Sequence, residues 1–332
     1  LGDVYKRQYL RGLLPTPVEI RGRESGHVPP DGELNPDIVR KTLGLPERKG
    51  PALPNVTLAD RPPQLCQGCP HSDSYNAVKK VLEPLGGMRA FVKKGQKVLL
   101  KPNVGFPTPP EQHATTSPAM LKAVAQMALD CGASKVLILD NPTRRPEACM
   151  KVVGIKEAVA GMKNVHFFLP TSDKMYVKTK VPKGKVLKRT EILKDALSVD
   201  VHIAMPVAKS HNAAGFTGGL KGMMGLILDR ESFHSRFDLN QAIVDLNTVL
   251  KPHLVIMDGL KVMATDGPAG PGELITTNSI LAGTDAVAVD AASVGLAPLY
   301  GRKIKSRQIK HLKLAEKAGL GVLKPPADRV VT

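Results

Sequence analysis

From residue 84 onward the chain alternates short apolar runs with segments whose apolar residues recur every three or four positions. The runs are "KVLLKPN" (97–103), "KVLILDN" (135–141), "VHFF" (165–168), "VDVHIAMPVAKSH" (199–211) and "HLVIMDG" (253–259). Between them, "SPAMLKAVAQMALDCGA" (117–133) sets Leu121, Val124, Ala128 and Cys131 at helical spacing, with Ser117 as N-cap and Pro118 in the first turn. Residues 146–161 and 239–251 also read as helices, and 278–296 reads as a strand followed by a helix capped at Thr284 or Asp285. Strands apolar on both sides need helices over both faces. The expected fold class is therefore α/β, a mostly parallel sheet with helices on both faces, preceded by an irregular Pro-rich N-terminal segment. Aromatics make up only 4% and Trp is absent, so the core must be built from Val, Leu, Ile, Ala and Met.

Residues 9–83 differ in character. Pro-rich stretches such as "LLPTP", "HVPPDGELNP" and "GLPERKGPALP" leave room for a short helix near 36–43 and another from Ser74 to Leu82. Cys66 and Cys69 form a CxxC there. Four cysteines in 332 residues make no disulfide scaffold, which predicts a reducing, cytoplasmic setting. No run of about 18 apolar residues occurs, so no membrane span is expected. The formal net charge is +17. The basic residues are scattered, and the densest run, "KTKVPKGKVLKR" (178–189), has no aromatic to stack on a base. That disfavours nucleic acid and points to a small anionic ligand or an acidic partner.

In an open parallel sheet, ligands bind beyond the carboxyl ends of the strands. The predicted strands end at Lys101 and Asn103, at Asp140 and Asn141, at Lys209, Ser210 and His211, and at Asp258. The last of these triplets runs into "SHNAAGFTGGLKG" (210–222), where Gly215, Gly218, Gly219 and Gly222 precede or flank Lys221. Glycine-rich turns expose backbone N–H groups to anions. The segment is not a phosphate-binding P-loop, because Leu220 separates Gly219 from Lys221 and Gly222 follows. The expected site has Lys221 and the amides of Gly215, Gly218 and Gly219 holding an anion. Lys101, Asn103 and Asp266 assist, His211 acts as general acid/base, and Asp258 or Asp266 orients a partner or a metal. His234 and the pair Cys66 and Cys69 are candidate metal ligands. "DGPAGPGE" (266–273) is a side-chain-poor loop able to close over such a site.

The blocks "KVLLKPN", "ATTSP", "GFTGGLKGMMG", "IVDLNTVLKPHLVIMDG", "DGPAGPG" and "ILAGTDAVAVDAASVGL", in that order, resemble the domain of unknown function 362 family over about 84–325. Members of that family often occur beside iron–sulfur ferredoxin modules, which implies an iron–sulfur cluster or a ferredoxin-like redox partner. The stretch "HNAAGFTGGLKG" is similar to the segment of nickel-dependent lactate racemase that carries its cofactor lysine. That likeness implies a tethering role for Lys221, proton transfer by His211, and nickel or another divalent metal as a cofactor. "GELNPDIVRKTLGLP" and "RPPQLCQGCPHSDSYNAVKK" resemble the middle of the large subunit of indolepyruvate ferredoxin oxidoreductase. No "GDG…N" motif follows, so thiamine diphosphate is not expected in this chain. The opening "LGDVYKRQ" (1–8) resembles adapter-derived sequence. The expected organisation is thus residues 1–8 non-native, 9–83 a partial oxidoreductase-like segment, and 84–332 the α/β domain.

Overall fold

The computed structural model describes residues 36–46 and 70–326. The chain divides into two compact units, Leu1–Gln64 and Leu65–Thr332. In the first, the described residues form helix α1 (Pro36–Thr42), close to the expected 36–43. Cys66 and Cys69 lie outside the described residues.

The second unit begins with helix α2 (Pro70–Leu82), then β1 (Lys97–Pro102), α3 (Pro118–Asp130), β2 (Lys135–Leu139), α4 (Pro146–Val152), α5 (Ile155–Ala158) and β3 (Val165–Phe168). A small antiparallel pair follows, β4 (Tyr176–Lys180) with β5 (Arg189–Leu193), then α6 (Lys194–Leu197), β6 (Val201–Met205), β7 (Val207–His211) and β8 (Gly215–Thr217). The remainder is α7 (Gly219–Gly222), α8 (Glu231–Ser235), α9 (Leu239–Asn247), β9 (Leu254–Met263), β10 (Leu274–Gly283), α10 (Ala286–Val294) and α11 (Lys310–Lys317). The main sheet has eight strands in the order β3-β2-β1-β6-β9-β7-β8, with β10 pairing with β9. Strands β3, β2, β1, β6 and β9 run parallel, whereas β8 and β10 are antiparallel to their partners. No described helix is long and apolar enough to cross a membrane.

The alternation of side chains explains the two-sided apolar runs. Val98 and Leu100 pack on one face with Val136, Ile138, Val201, Ile203 and helix α3. Leu99, Leu137 and Leu139 point to the other, against residues of α9, α10 and α11. The caps behave as the sequence predicts. Ser117 accepts from Met120 N at 3.4 Å, and Asp285, not Thr284, accepts from Val287 N and Ala288 N at 2.9 and 3.0 Å.

Three expectations change, and the basic run gains a place in the fold. The 199–211 run is one path of two strands, since Pro206 lacks an N–H and breaks the ladder while its carbonyl accepts from Asp258 N at 2.8 Å. The 146–161 helix is two short helices hinged at Gly154, whose φ is 68°. The basic run 178–189 belongs to the β4–β5 hairpin, whose connecting turn donates three successive backbone N–H groups to Asp245 Oδ2 at 2.7, 2.7 and 2.9 Å. The α/β unit also reaches further back than residue 84: Val78 and Leu82 of α2 are buried in the core beside α3, and Tyr75 Oη donates to Asp130 Oδ2 at 2.9 Å.

Candidate functional site

The parallel strands bring their carboxyl ends to one edge, where a cleft of about 890 Å³ opens. Its walls come from the loop after β1 (Asn103, Phe106), the loop after β2 (Asp140 to Arg144), the β7–β8 hairpin (Lys209, His211, Thr217), α7 (Lys221), and the turn into α8 (Arg230, His234). Pro268 and Ala269 of the Gly/Pro loop complete the lining.

The floor is neutralised. Lys101 Nζ pairs with Asp140 Oδ1 at 2.8 Å and donates to Pro102 O at 2.5 Å, while Asp140 Oδ2 accepts from Val104 N at 2.5 Å. Gly225 is required beneath this pair, since a Cβ there would collide with the Asp140 carboxylate and the Lys101 ammonium. Lys209 Nζ donates to Asn103 Oδ1 at 2.9 Å, Ala114 O at 2.6 Å and Pro268 O at 2.9 Å, so all three protons have acceptors. It ties three loops together. Burial, then the positive charge of Lys221, push its pKa down to about 7.

The wall is not neutralised. Among the described residues, Lys221 Nζ has only Met224 Sδ, at 3.9 Å. Among the described residues neither Lys221 nor Arg230 has a carboxylate within ion-pair distance. Burial lowers the Lys221 pKa to about 8, and Arg230 lowers it further than Asp140 restores it. Arg230 is lowered by burial too.

His211 is buried, and its Nδ1 accepts from Ala213 N at 3.1 Å and Ala214 N at 3.2 Å. That arrangement leaves the ring proton on Nε2. Burial, then Lys221 and His234, drive its pKa down to about 2, so the ring stays neutral. His234 stacks on it at 6.2 Å between centroids, with planes 6° apart, and burial followed by Lys221 lowers its pKa as well.

Of the residues expected at the site, Asn103, His211, Lys221 and His234 line the cleft. Lys101 lies beneath it, bound to Asp140. Three glycines do not belong to the lining. The N–H groups of Gly219 and Leu220 donate to Asp290 at 2.6 and 3.0 Å, so they are consumed inside the protein. Gly218 is glycine because a Cβ would strike the same carboxylate. Gly215 turns the β7–β8 hairpin at φ 78°. Asp258 is fully buried and accepts from Ser117 N at 2.9 Å, away from the cleft lining, and burial raises its pKa. Asp266 sits at φ 54°, and its carbonyl holds Gly270 N at 3.1 Å within its own loop. The sequence reading missed Asp290, Phe106 and Arg144. Asp290 had a signal: it is the lone acid in the apolar helix "AVAVDAASV". Burial raises its pKa to about 7.

No three His, Cys, Asp or Glu side chains converge as metal ligands among the described residues. With Nδ1 of His211 engaged by two amides, the donors around Lys221 do not fit a metal ion held by protein side chains alone.

Residues 98–295 match the family described as Domain of unknown function (DUF362). The thylakoid-associated protein sll1697 of Synechocystis is 28% identical over 214 residues, covering 59% of this chain and 64% of that protein. Indolepyruvate oxidoreductase subunit IorA of Archaeoglobus fulgidus is 38% identical over 80 residues, 21% of this chain and 13% of that one. The chain thus spans under two thirds of the curated relatives it matches. Among solved structures, lactate racemase apoprotein from Thermoanaerobacterium thermosaccharolyticum is similar with a TM-score of 0.44 and 16% identity, over 67% of this chain and 55% of that one.

Proposed function

Since this chain belongs to the Domain of unknown function (DUF362) family, we propose its function from the cleft geometry: it binds a small anionic ligand at the carboxyl edge of its sheet, between Lys221, Arg230 and His211. The observation that carries this is the contrast in partners. Lys101 is paired with Asp140 and Lys209 is saturated by protein acceptors, whereas Lys221, on the same cleft as Lys209, has only a thioether partner among the described residues. A half-buried ammonium without an acceptor is destabilising unless a ligand supplies one.

The expected roles shift within this reading. His211, neutral and with Nδ1 occupied, acts as a fixed Nε2–H donor. Lys209, at about 7, has its protons committed to Asn103, Ala114 and Pro268, so Lys221, with a pKa of about 8, is the cleft lysine able to exchange a proton with a ligand near neutral pH. Any acid/base step on the ligand therefore falls to Lys221. The alternative of an iron–sulfur oxidoreductase fragment rests on Cys66 and Cys69 and on the IorA likeness. A cluster takes four thiolates, and of the other two cysteines Cys149 is buried in the core of the α/β unit and Cys131 packs half-buried against it. The charge of +17 also suits an acidic redox partner.

Calorimetric titration of the full chain with succinate and with inorganic phosphate at low salt tests the proposal. Binding of at least one probe is expected, with Lys221→Ala abolishing it and Lys221→Arg keeping part. Equal binding by all three proteins would reject it.

A further inference from the structure

Thr217 is 3% exposed, lines the cleft, and its Oγ1 has no hydrogen-bond partner among the described residues. A buried hydroxyl without a partner is unfavourable, and such groups call for an explanation. The nearest cross-strand residue does not supply one. Lys209 lies directly opposite Thr217 in the hairpin, but its three protons go to Asn103, Ala114 and Pro268. Alternation along the strand puts Lys209 and His211 on one face of β7, and Thr217, opposite Lys209, shares that face. Lys221 follows four residues after Thr217 and lines the same cleft.

Besides Arg230, three hydrogen-bond donors on this wall thus lack an oxygen or nitrogen acceptor among the described residues: the Thr217 hydroxyl, the Nε2–H of His211 and the Lys221 ammonium. We infer that they form one oxyanion subsite, and that Thr217 is a ligand-binding residue selecting a carboxylate there. The inference rests on the anion-binding reading above and deepens it. The class follows from charge. Only one of the three donors is charged, because His211 is held neutral, so the subsite matches a single negative charge with two acceptor oxygens. A phosphate dianion would leave one charge to be met from Arg230, which lines the cleft beside Lys221 but stands outside the three-donor set.

The test uses the full chain, with succinate and inorganic phosphate as probes, in wild type, Thr217→Val, Thr217→Ser and Lys221→Ala. Thr217→Val keeps the shape and removes the hydroxyl. We expect it to weaken succinate binding by about tenfold and phosphate binding by less, with Thr217→Ser restoring succinate to within about threefold. Its melting temperature should equal or exceed that of wild type, because an unpaired buried hydroxyl is removed without opening a cavity. Unchanged succinate affinity in Thr217→Val overturns the inference, as does equal weakening of both probes. A lower melting temperature with unchanged affinity also overturns it, by marking the hydroxyl as structural. If Lys221→Ala binds like wild type, or wild type binds neither probe, the cleft reading itself fails and this inference with it. If Lys221→Ala is impaired and Thr217→Val is not, only the subsite fails.

Discussion

The floor and the wall of the cleft hold the same kinds of cation in opposite circumstances. On the floor, the charge of Lys101 is met by Asp140, and Lys209 reaches two backbone carbonyls and an amide oxygen. On the wall, Lys221 and Arg230 face open space and each other's charge. The sequence presents all of them alike, as basic residues at or near strand ends. What separates a structural cation from a ligand-binding one is the presence of acceptors from distant segments, such as Asn103 for Lys209, 106 residues away.

The largest effect should come from breaking the floor. Lys101→Met leaves the Asp140 carboxylate buried without its cation, and loss of one partner of a buried pair costs about 3–5 kcal/mol. Urea unfolding of wild type and variant would measure it. A loss under about 1 kcal/mol would mean that the floor is not built around this pair.

A smaller loss is expected at Asp290→Ala, which strips the acceptor from Gly219 N and Leu220 N. Two orphaned amides and the lost packing should remove about 2–4 kcal/mol, again by urea unfolding. If Asp290→Ala instead left stability intact and tightened phosphate binding, the glycine amides would be ligand donors after all.

Lys221→Ala marks the contrast from the wall. It should change stability by less than about 0.5 kcal/mol, or raise it, because no protein acceptor is lost. Its pH dependence carries the sign. The pKa of Lys221 is about 8 in the folded chain, against about 10.4 when unfolded. Between these values the unfolded chain holds more protons, so this group makes wild type gain stability as pH rises from about 8 to about 10.4. The difference between wild type and Lys221→Ala should therefore move in favour of wild type across that window in thermal melts. A flat difference would place the Lys221 pKa at its ordinary value.

The smallest effect is expected from Cys66→Ser combined with Cys69→Ser. With Cys149 buried in the core and Cys131 packed against it, the melting temperature should stay within about 2 °C of wild type. Iron or zinc lost along with a cooperative melt would show that the CxxC has ligands in the segment around it.

Much of the frame was legible from pattern alone. Unbroken apolar runs marked β1, β2, β6 and β9, and the caps at Ser117 and at Thr284 or Asp285 marked helix starts, because those signals are local. The antiparallel pieces β4, β5 and β8 were harder, since short strands without strict alternation depend on what they pack against, while β10 was read only in its second half, from residue 278. At the site, His211 and Lys221 could be picked out as chemistry-bearing residues at a strand end. The fate of the glycine loop could not. Its N–H groups look outward in sequence, but their acceptor, Asp290, comes from a helix about 70 residues later. Likewise nothing local to His211 shows that two amides of its own turn hold Nδ1 and fix the proton on Nε2.

The central claim is that Lys221 is an unneutralised cation, and its titration tests this most directly. Heteronuclear NMR of the lysine side chains, with Lys221 assigned by the Lys221→Arg spectrum, would give its pKa in the ligand-free full chain. The account predicts a value of about 8, rising when succinate is added. A value near the ordinary 10.4, unmoved by succinate or phosphate, would contradict it.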